Sequence, residues 1–241
     1  MISVCMATYN GAAYIEQQLR SILSQLAGGD EIVLVDDHSS DGTLELVKKI
    51  GDGRIRIHQN DSNRGVVLTF EQAIRLSAGD LVFLSDQDDI WYPGKVDQVA
   101  RIFMENPEVT LVLSDARIIN EKGDILADSM LKTKGGFAPG VIATLIHNRY
   151  SGCLMAFKRN LAEKFLPFPK DIPMHDMWIG LVNAVYGKVH FIAAPLIAHR
   201  RHPGNTSPRK RQAAAQMLLW RWRLFKNLCL RVVSRWVEPL S

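Results

Sequence analysis

The sequence predicts an α/β fold with a mostly parallel central sheet flanked by helices, and three observations predict it. Short apolar runs alternate with helical patterns through the first half of the chain. Polar residues, Asp above all, gather where those runs end. With 241 residues, 47% of them hydrophobic, the chain is long enough to bury one sizeable core.

The runs at 2–7, 32–36, 55–58, 81–85 and 110–114 read as strands, apolar enough to be covered on both faces. The patterns at 13–26, 43–50, 66–77 and 95–106 read as helices. Asp41 is placed to cap the second, and Pro93 fits the start of the fourth. Further on, 118–126 reads as a hairpin around 121–124, and 151–157 as another strand. A helix begins at His175 with Asp176 in its first turn, and two short strands, 189–193 and 195–198, lead to His199-Arg-Arg-His202.

Charge is unevenly distributed. From residue 177 onward there are eleven Lys or Arg and one acid, Glu238, a net +10, which leaves residues 1–176 at −6. An acidic body with a basic tail points to an anionic partner for the tail. No stretch approaches the roughly 20 apolar residues needed to span a bilayer. The N-terminus enters a strand pattern at once, with no basic leader or cleavage site, so a cytoplasmic protein is expected. Cys5, Cys153 and Cys229 lack metal-ligand spacing, and the first two lie in apolar runs, as buried thiols do in a reducing compartment.

Asp86-Gln87-Asp88-Asp89 is the most telling segment. It puts three carboxylates within four residues at the end of an apolar run. Like charges so close repel, and hard oxygen donors in this pattern suit Mn²⁺ or Mg²⁺ with a phosphate completing the shell. The alternative is a solvated turn that caps a helix, because Asp favours that too. Ligands of parallel sheets bind beyond the carboxyl ends of the strands. The residues at those ends are Ala7-Thr-Tyr-Asn-Gly11, Asp36-Asp-His-Ser-Ser-Asp-Gly42, Asp86–Asp89 and Asp115. Any such loop is polar, but the recurrence of Asp asks for more than that.

In this order, Ser3-Val-Cys-Met-Ala-Thr-Tyr-Asn-Gly11, Ile32-Val-Leu-Val-Asp-Asp-His-Ser-Ser-Asp-Gly-Thr43, Asn63-Arg-Gly65, Phe83-Leu-Ser-Asp-Gln-Asp-Asp-Ile-Trp91 and His175-Asp176 resemble the family 2 glycosyltransferases. The resemblance covers roughly residues 1–205. It implies the GT-A nucleotide-diphospho-sugar transferase fold over 1–207. The nucleotide-sugar-binding half would be 1–115 and the acceptor-side half 116–207, followed by a basic amphipathic helical tail, 208–241. The Ser85-Asp-Gln-Asp-Asp-Ile-Trp91 form and the segment 151–157 resemble the rhamnosyltransferase-like branch. This implies an inverting, metal-dependent enzyme of cell-surface polysaccharide synthesis, such as that of O-antigen. Its donor would be dTDP-L-rhamnose or another dTDP- or UDP-sugar, and its acceptor a glycan or lipid-linked sugar.

The resemblance also implies roles. Thr8, Tyr9 and Asp37 would hold the base and ribose, Asp37 by accepting the imide N–H of uracil or thymine. An Asx-turn is the plainer use of Asp37. Arg64 sits where relatives contact the nucleotide. Asp86 and Asp88 would form the DXD motif, Asp88 as metal ligand, Asp86 toward the ribose or a metal-bound water, and Asp89 orienting the loop. His202 matches a late third metal ligand, and Arg200 and Arg201 could face the diphosphate. Asp176 matches the general base, with His175 in place of the more frequent Glu; dipole stabilisation of the helix is the alternative use of Asp176. Trp91, Trp178 and Tyr150 could stack on sugars or pack in the core.

Residues 209–237 read as one long helix. Leu218, Trp222, Phe225, Cys229, Val232 and Trp236 form an apolar stripe beside Arg and Lys, a pattern that suits a membrane surface at the inner face of a bacterial membrane, or docking on the domain or on a partner subunit. Two other functions fit parts of the sequence. A nucleotidyltransferase would also use paired Asp on Mg²⁺, but Thr8-Tyr-Asn-Gly11 lacks its glycine-rich basic loop. A nucleic-acid-binding protein would need a basic body, and residues 1–176 are acidic, so no nucleic-acid partner is expected.

Overall fold

The structure, a computed structural model, describes residues 1–205 and 213–237, the last three of these by their backbone alone. Its first half runs Ile2–Thr8 (β1), Ile15–Leu23 (α1), Glu31–Asp36 (β2), Thr43–Ile50 (α2), Ile55–Gln59 (β3), Val66–Leu76 (α3) and Leu81–Ser85 (β4). Strands β3, β2, β1 and β4 lie side by side and all run parallel. Every residue of β2 is buried, as a strand covered on both faces must be. Helix α3 packs on β1 and β2, and α1 packs against α2. The register sets Thr8 opposite Asp36 and Met6 opposite Ser85, so the loops after β1, β2 and β4 open along one edge.

The second half runs Ile90–Trp91 (β5), Lys95–Glu105 (α4), Val109–Ile119 (β6), Ile125–Ala127 (β7), Met130–Thr133 (α5), Val141–Ile146 (α6), a single 3₁₀ turn at Gly152–Leu154, Met155–Lys158 (β8), Arg159–Phe165 (α7), His175–Tyr186 (α8), Lys188–Arg200 (β9) and Ala214–Val237 (α9). Strand β8 is antiparallel to both β4 and β6 and joins the two halves into one sheet. The order is β3-β2-β1-β4-β8-β6-β9-β5, with β7 hairpinned onto β6.

Several expected boundaries shift for physical reasons. The two short strands at 189–193 and 195–198 are one strand, β9, because irregularities in its pairing with β6 absorb Pro195 without ending the ladder. Likewise β6 does not stop at Ser114. It continues to Ile119, so Asp115 lies inside the strand, where it accepts hydrogen bonds from Ser129 Oγ and from Leu131 N at 3.0 Å. That carboxylate anchors α5 rather than facing a ligand. The 151–157 strand begins as the 3₁₀ turn. The cap position of α2 is Gly42 at φ 86°, with Asp41 one residue earlier and still accepting from Thr43 N at 3.1 Å. Pro93 likewise lies two residues ahead of α4, whose cap position is Gly94.

The C-terminal helix α9 starts at Ala214; positions 209–212 of the expected helix lie outside the described residues. It docks through a face that the apolar stripe does not include. Leu224 and Leu228 are buried, Arg221 donates to Ile146 O (2.6 Å), Asn227 to Asp171 Oδ1 (2.7 Å) and Arg231 to Leu166 O (2.7 Å). Leu218, Trp222 and Phe225 of the stripe face outward, Cys229 is exposed and Val232 is half-buried; the Trp236 side chain lies outside the described residues. Replacing Leu224, which has no exposed surface, tests this orientation. In denaturant unfolding, Leu224→Ala is expected to cost about 2–4 kcal/mol through the cavity it leaves. Leu218→Ala should stay within about 0.5 kcal/mol. Equal costs would mean that the helix turns its other face to the domain.

Candidate active site

Two adjacent acids at the end of β2 have different tasks. Asp36 is consumed by the turn, accepting from Thr8 Oγ1 (2.9 Å) and Ser39 N (2.8 Å). Asp37 faces a cavity and accepts from Asn60 Nδ2, Arg64 N and Gly65 N, each at 2.8 Å. Burial works against its charge, but these donors hold its carboxyl below the usual range. Chain reversal at this edge forces Asn10 (φ 48°) and His38 (φ 69°) into the left-handed region. Arg64 takes part through its backbone; its exposed side chain turns away to Gln72 Oε1 at 3.1 Å and does not line the cavity.

The carboxylates after β4 are held by residues from elsewhere in the chain. Asp88 lies 2.7 Å from His202 Nε2 and accepts from Asn205 Nδ2 at 3.1 Å. Asp89 Oδ1 lies 3.0 Å from His199 Nδ1 and accepts from Arg200 N, also at 3.0 Å, while its Oδ2 has no partner among the described residues. Arg200 is buried and spent on structure. It donates to Asp88 O (3.0 Å), Glu121 O (3.0 Å) and Gln17 Oε1 (2.8 Å), and sits over the Tyr14 ring. Arg201 lines the cavity instead.

Gln87, singled out by no sequence argument, is the residue that joins the first loop to the fourth. Its Oε1 accepts from Tyr9 N (2.9 Å) and its Nε2 donates to Tyr9 O (3.0 Å), as a strand neighbour would. Gly11 makes room for it, since a Cβ there would fall 2.2 Å from Gln87 Oε1. The signal available beforehand was only its position inside the acidic run.

Burial and the charges of Asp89 and Asp88 push the Asp86 carboxyl up to about 8, and burial with Asp89 also raises Asp88. Carboxylates crowded to this degree fit a divalent cation, which would remove the repulsion. Asp86, Asp89, Cys153 and His199 bring ligand atoms within 4.8 Å of one another. Burial raises the Cys153 thiol, however, and a protonated thiol is a poor donor to a hard ion. Asp89 and His199 are already engaged with each other. The donors that suit Mn²⁺ or Mg²⁺ are therefore the carboxylates of Asp86 and Asp88, with the His202 imidazole beside Asp88.

Across the cavity, α8 begins with His175 and Asp176. Asp176 accepts from Met177 N at 2.6 Å and is almost fully buried. Burial lifts its carboxyl to about 6, against the opposing pull of Lys134, whose Nζ donates to Ser151 Oγ at 2.8 Å. A base poised near neutral pH suits proton abstraction. One cavity of about 570 Å³ gathers Thr8, Tyr9, Asp37, Asp86, Asp88 and Asp176. His202 does not line it, but Asp88 and Asn205, to which it is hydrogen-bonded, do. Tyr150 lines it, whereas Trp91 and Trp178 belong to the core, the latter donating to Phe165 O at 2.9 Å.

The model of the family described as "Glycosyl transferase family 2" matches residues 3–166. Among curated relatives, the Escherichia coli UDP-Glc:alpha-D-GlcNAc-diphosphoundecaprenol beta-1,3-glucosyltransferase WfgD is 28% identical over 76% of this chain and 70% of its own length. An uncharacterized glycosyltransferase of Nostoc sp. is 26% identical over 85% of this chain and 66% of its own. Among solved structures, S. aureus TarS 1–349 in complex with UDP-GlcNAc superposes with a TM-score of 0.73 at 20% identity, covering 96% of this chain and 66% of that one. The mannosyltransferase PcManGT of Pyrobaculum calidifontis, in complex with GDP-Man and Mn²⁺, superposes at 0.65 with 22% identity, covering 94% of this chain and 64% of that one. The fold is thus that of the GT-A glycosyltransferases, and the chain spans about two thirds of the length of these relatives.

The crowding at Asp86–Asp89 has a measurable consequence. Asp88→Asn should weaken Mn²⁺ binding by about tenfold or more in calorimetric titration, since it removes one formal charge from the donor set. Unchanged Mn²⁺ affinity would remove Asp88 from the metal shell.

Proposed function

The chain belongs to glycosyl transferase family 2, and from that membership we propose that it is an inverting, metal-dependent glycosyltransferase, moving a sugar from a UDP- or dTDP-activated donor to a glycan or lipid-linked acceptor. The observation that carries this reading is the single cavity in which Asp37, the crowded Asp86 and Asp88, and the buried Asp176 come together at the strand ends.

Each residue has a task that its surroundings support. Asp37, kept ionised by its N–H donors, retains acceptor capacity on Oδ2 for an imide N–H of uracil or thymine. Thr8 and Tyr9 lie beside it and would take the ribose and base, and Gln87 fixes the Tyr9 backbone there. Asp86, Asp88 and His202 would hold Mn²⁺ or Mg²⁺, which neutralises the diphosphate leaving group. Asp176 takes the proton of the acceptor hydroxyl as its oxygen bonds to the anomeric carbon, and the bond from that carbon to the diphosphate oxygen breaks with its electrons leaving on the diphosphate. One displacement inverts the anomeric centre. Residues 1–115 would thus serve the nucleotide-sugar and 116–207 the acceptor.

The donor we favour is dTDP-L-rhamnose, on the resemblance of Ser85–Trp91 and of 151–157 to the rhamnosyltransferase-like branch. WfgD, by its name, acts on a lipid-diphosphate-linked sugar, and an acceptor of this kind would place the present enzyme in cell-surface polysaccharide synthesis. The exposed Trp222 and Phe225 beside exposed Lys226 suit the headgroup region of an anionic bilayer. The protein would then work peripherally at the inner face of a bacterial plasma membrane. No described helix is long and apolar enough to cross one.

The base assignment is tested with Asp176→Asn. It should bind dTDP or UDP with Mn²⁺ as the unaltered protein does, while release of nucleoside diphosphate from the sugar nucleotide falls by about 10²-fold or more. Because the folded-state carboxyl titrates near 6 and must be ionised to accept a proton, turnover of the unaltered enzyme should rise through pH 6 and level off above it. Retained turnover in the variant would eliminate Asp176 as base. The membrane contact is tested with Trp222→Ser, expected to lower partitioning onto phosphatidylglycerol vesicles several-fold with soluble turnover intact; unchanged sedimentation with vesicles would dismiss the helix as a lipid contact.

A further inference from the structure

Lys134 and Arg201 are the Lys and Arg side chains that line the cavity, and the reading above gives Lys134 no task. A short, heavily anchored segment delivers it. Helix α5 has only four residues, too few to persist alone. Asp115 fixes its start by accepting from Leu131 N (3.0 Å) and from the Ser129 hydroxyl, and Ser129 Oγ accepts from Lys132 N (3.0 Å). At its end Gly136 N returns to Leu131 O (2.8 Å), with Gly135 (φ 82°) and Gly136 (φ 79°) turning the chain away in the left-handed region. Met130 and Lys134 are the residues that this segment presents to the cavity.

The Lys134 ammonium stands near the Asp176 carboxylate without pairing to it. Its Nζ donates to Ser151 Oγ at 2.8 Å and makes no ion pair with an acid among the described residues. Ser151 opens the 3₁₀ turn, Leu154 N bonding back to Ser151 O at 3.0 Å, and the Gly152 N–H of that turn faces Asp176. Burial works against both charges. Lys134 is the first charge to offset it for Asp176, and Asp176 is the first to offset it for Lys134. A direct ion pair would commit a carboxylate oxygen that proton transfer needs. An ammonium tethered to a hydroxyl supports the charge and leaves that oxygen uncommitted.

The other groups around Asp176 do not replace it. Asp86 and Asp176 repel each other. Burial drives the His175 imidazole down to about 3, pushes the Tyr150 phenol up to about 12 and raises the Cys153 thiol, so all three are uncharged. Asn148 and the N–H groups of Gly152 and Met177 are neutral donors. His199 is engaged with Asp89, Asp88 with His202, and Asp37 with Asn60. Arg201 reaches the lining from beyond β9 and repels Lys134. Helix α3 contributes only Val66, Thr69 and Phe70 to the lining; α6, α7 and α9 contribute none, and Arg231 of α9 lies over Trp178.

We propose that Lys134 is a positioning residue of the base: its ammonium, tethered to Ser151 beside Asp176 and kept out of a direct ion pair, holds the Asp176 carboxylate ready for the proton of the acceptor hydroxyl. The inference rests on the reading of Asp176 as base.

The test titrates Asp176 itself, by NMR of protein carrying ¹³C at its aspartate carboxyls, with Mg²⁺ present. The signal missing from Asp176→Asn identifies the residue, and in the unaltered protein it should titrate near 6. Lys134→Met keeps the side-chain length and removes the charge, and should raise that midpoint to about 7 or higher. Lys134→Arg should bring it back most of the way. Lys134→Gln, which retains a donor for Ser151, is read as the Met variant is should the latter not fold. The acid limb of nucleoside diphosphate release should move up in pH with the carboxyl, whereas a merely structural loss would lower turnover evenly at every pH. A midpoint unmoved in folded Lys134→Met or Lys134→Gln would overturn the inference, even with Asp176 upheld as base by its own variant. If Asp176→Asn retains turnover, the base reading fails and the inference goes with it, whatever the midpoint does.

Discussion

Three carboxylates at the end of one buried strand are the constraint around which this molecule is arranged. Asp86, Asp88 and Asp89 cannot all stay ionised in a low-dielectric corner without compensation. Partial compensation comes from the far end of the sheet. Strand β9 runs parallel to β6 for its whole length and delivers His199 and the Arg200 N–H to Asp89, then His202 and Asn205 to Asp88. Partners more than a hundred residues apart in sequence are thereby fixed within hydrogen-bond distance. The compensation is incomplete, because Asp86 and Asp88 remain raised, and that residual cost is what makes the corner receptive to a cation.

The acids of the cavity are sorted by their surroundings more than by their type. Asp37 is less deeply enclosed and its donors hold it below the usual range, whereas the deeper burial of Asp176 outweighs its own donors and the pull of Lys134 and lifts it to about 6. The signs in linkage are opposite. A depressed carboxyl such as Asp37 contributes stability above its unfolded-state value and loses it as pH falls through the folded one. A raised carboxyl such as Asp176 favours the fold while protonated, and that contribution disappears as pH rises through about 6. The ionised form of Asp176 is therefore the one that the fold tolerates less well.

The first half was legible because strands buried on both faces leave continuous apolar runs, and β4 and α2 fall where the runs begin and end. The second half was legible only in part: the helix at His175 and the β6–β7 hairpin were expected, but the long strands pair antiparallel or through irregular registers that no local pattern encodes. Pro195 read as a break and is only a kink in a long strand. Asp37, Asp86, Asp88 and Asp176 were reachable from sequence as acids at strand or helix ends, and all four face the cavity. Arg64 misled because a loop residue can serve through its N–H while its side chain points elsewhere. Gln87 escaped notice because its partner is the Tyr9 backbone, and backbone partners leave no sequence signal.

Helix α9 inverts the usual amphipathic logic, and the inversion bears on what the outward face is for. A helix that existed only to complete the core would bury its widest apolar stripe. Here the docking face carries Arg221, Asn227 and Arg231, whose hydrogen bonds to Ile146 O, Asp171 Oδ1 and Leu166 O fix its rotation, and among the described side chains of the helix only Leu224 and Leu228 are buried with them. These directional contacts hold Leu218, Trp222 and Phe225 in water at a cost that packing alone would not accept. The neighbouring helix α6, which α9 contacts, adds exposed Ile142 and Ile146. On the membrane reading proposed above, such a face, turned outward by polar anchors and with exposed Lys226 beside it, is the part that would meet the bilayer.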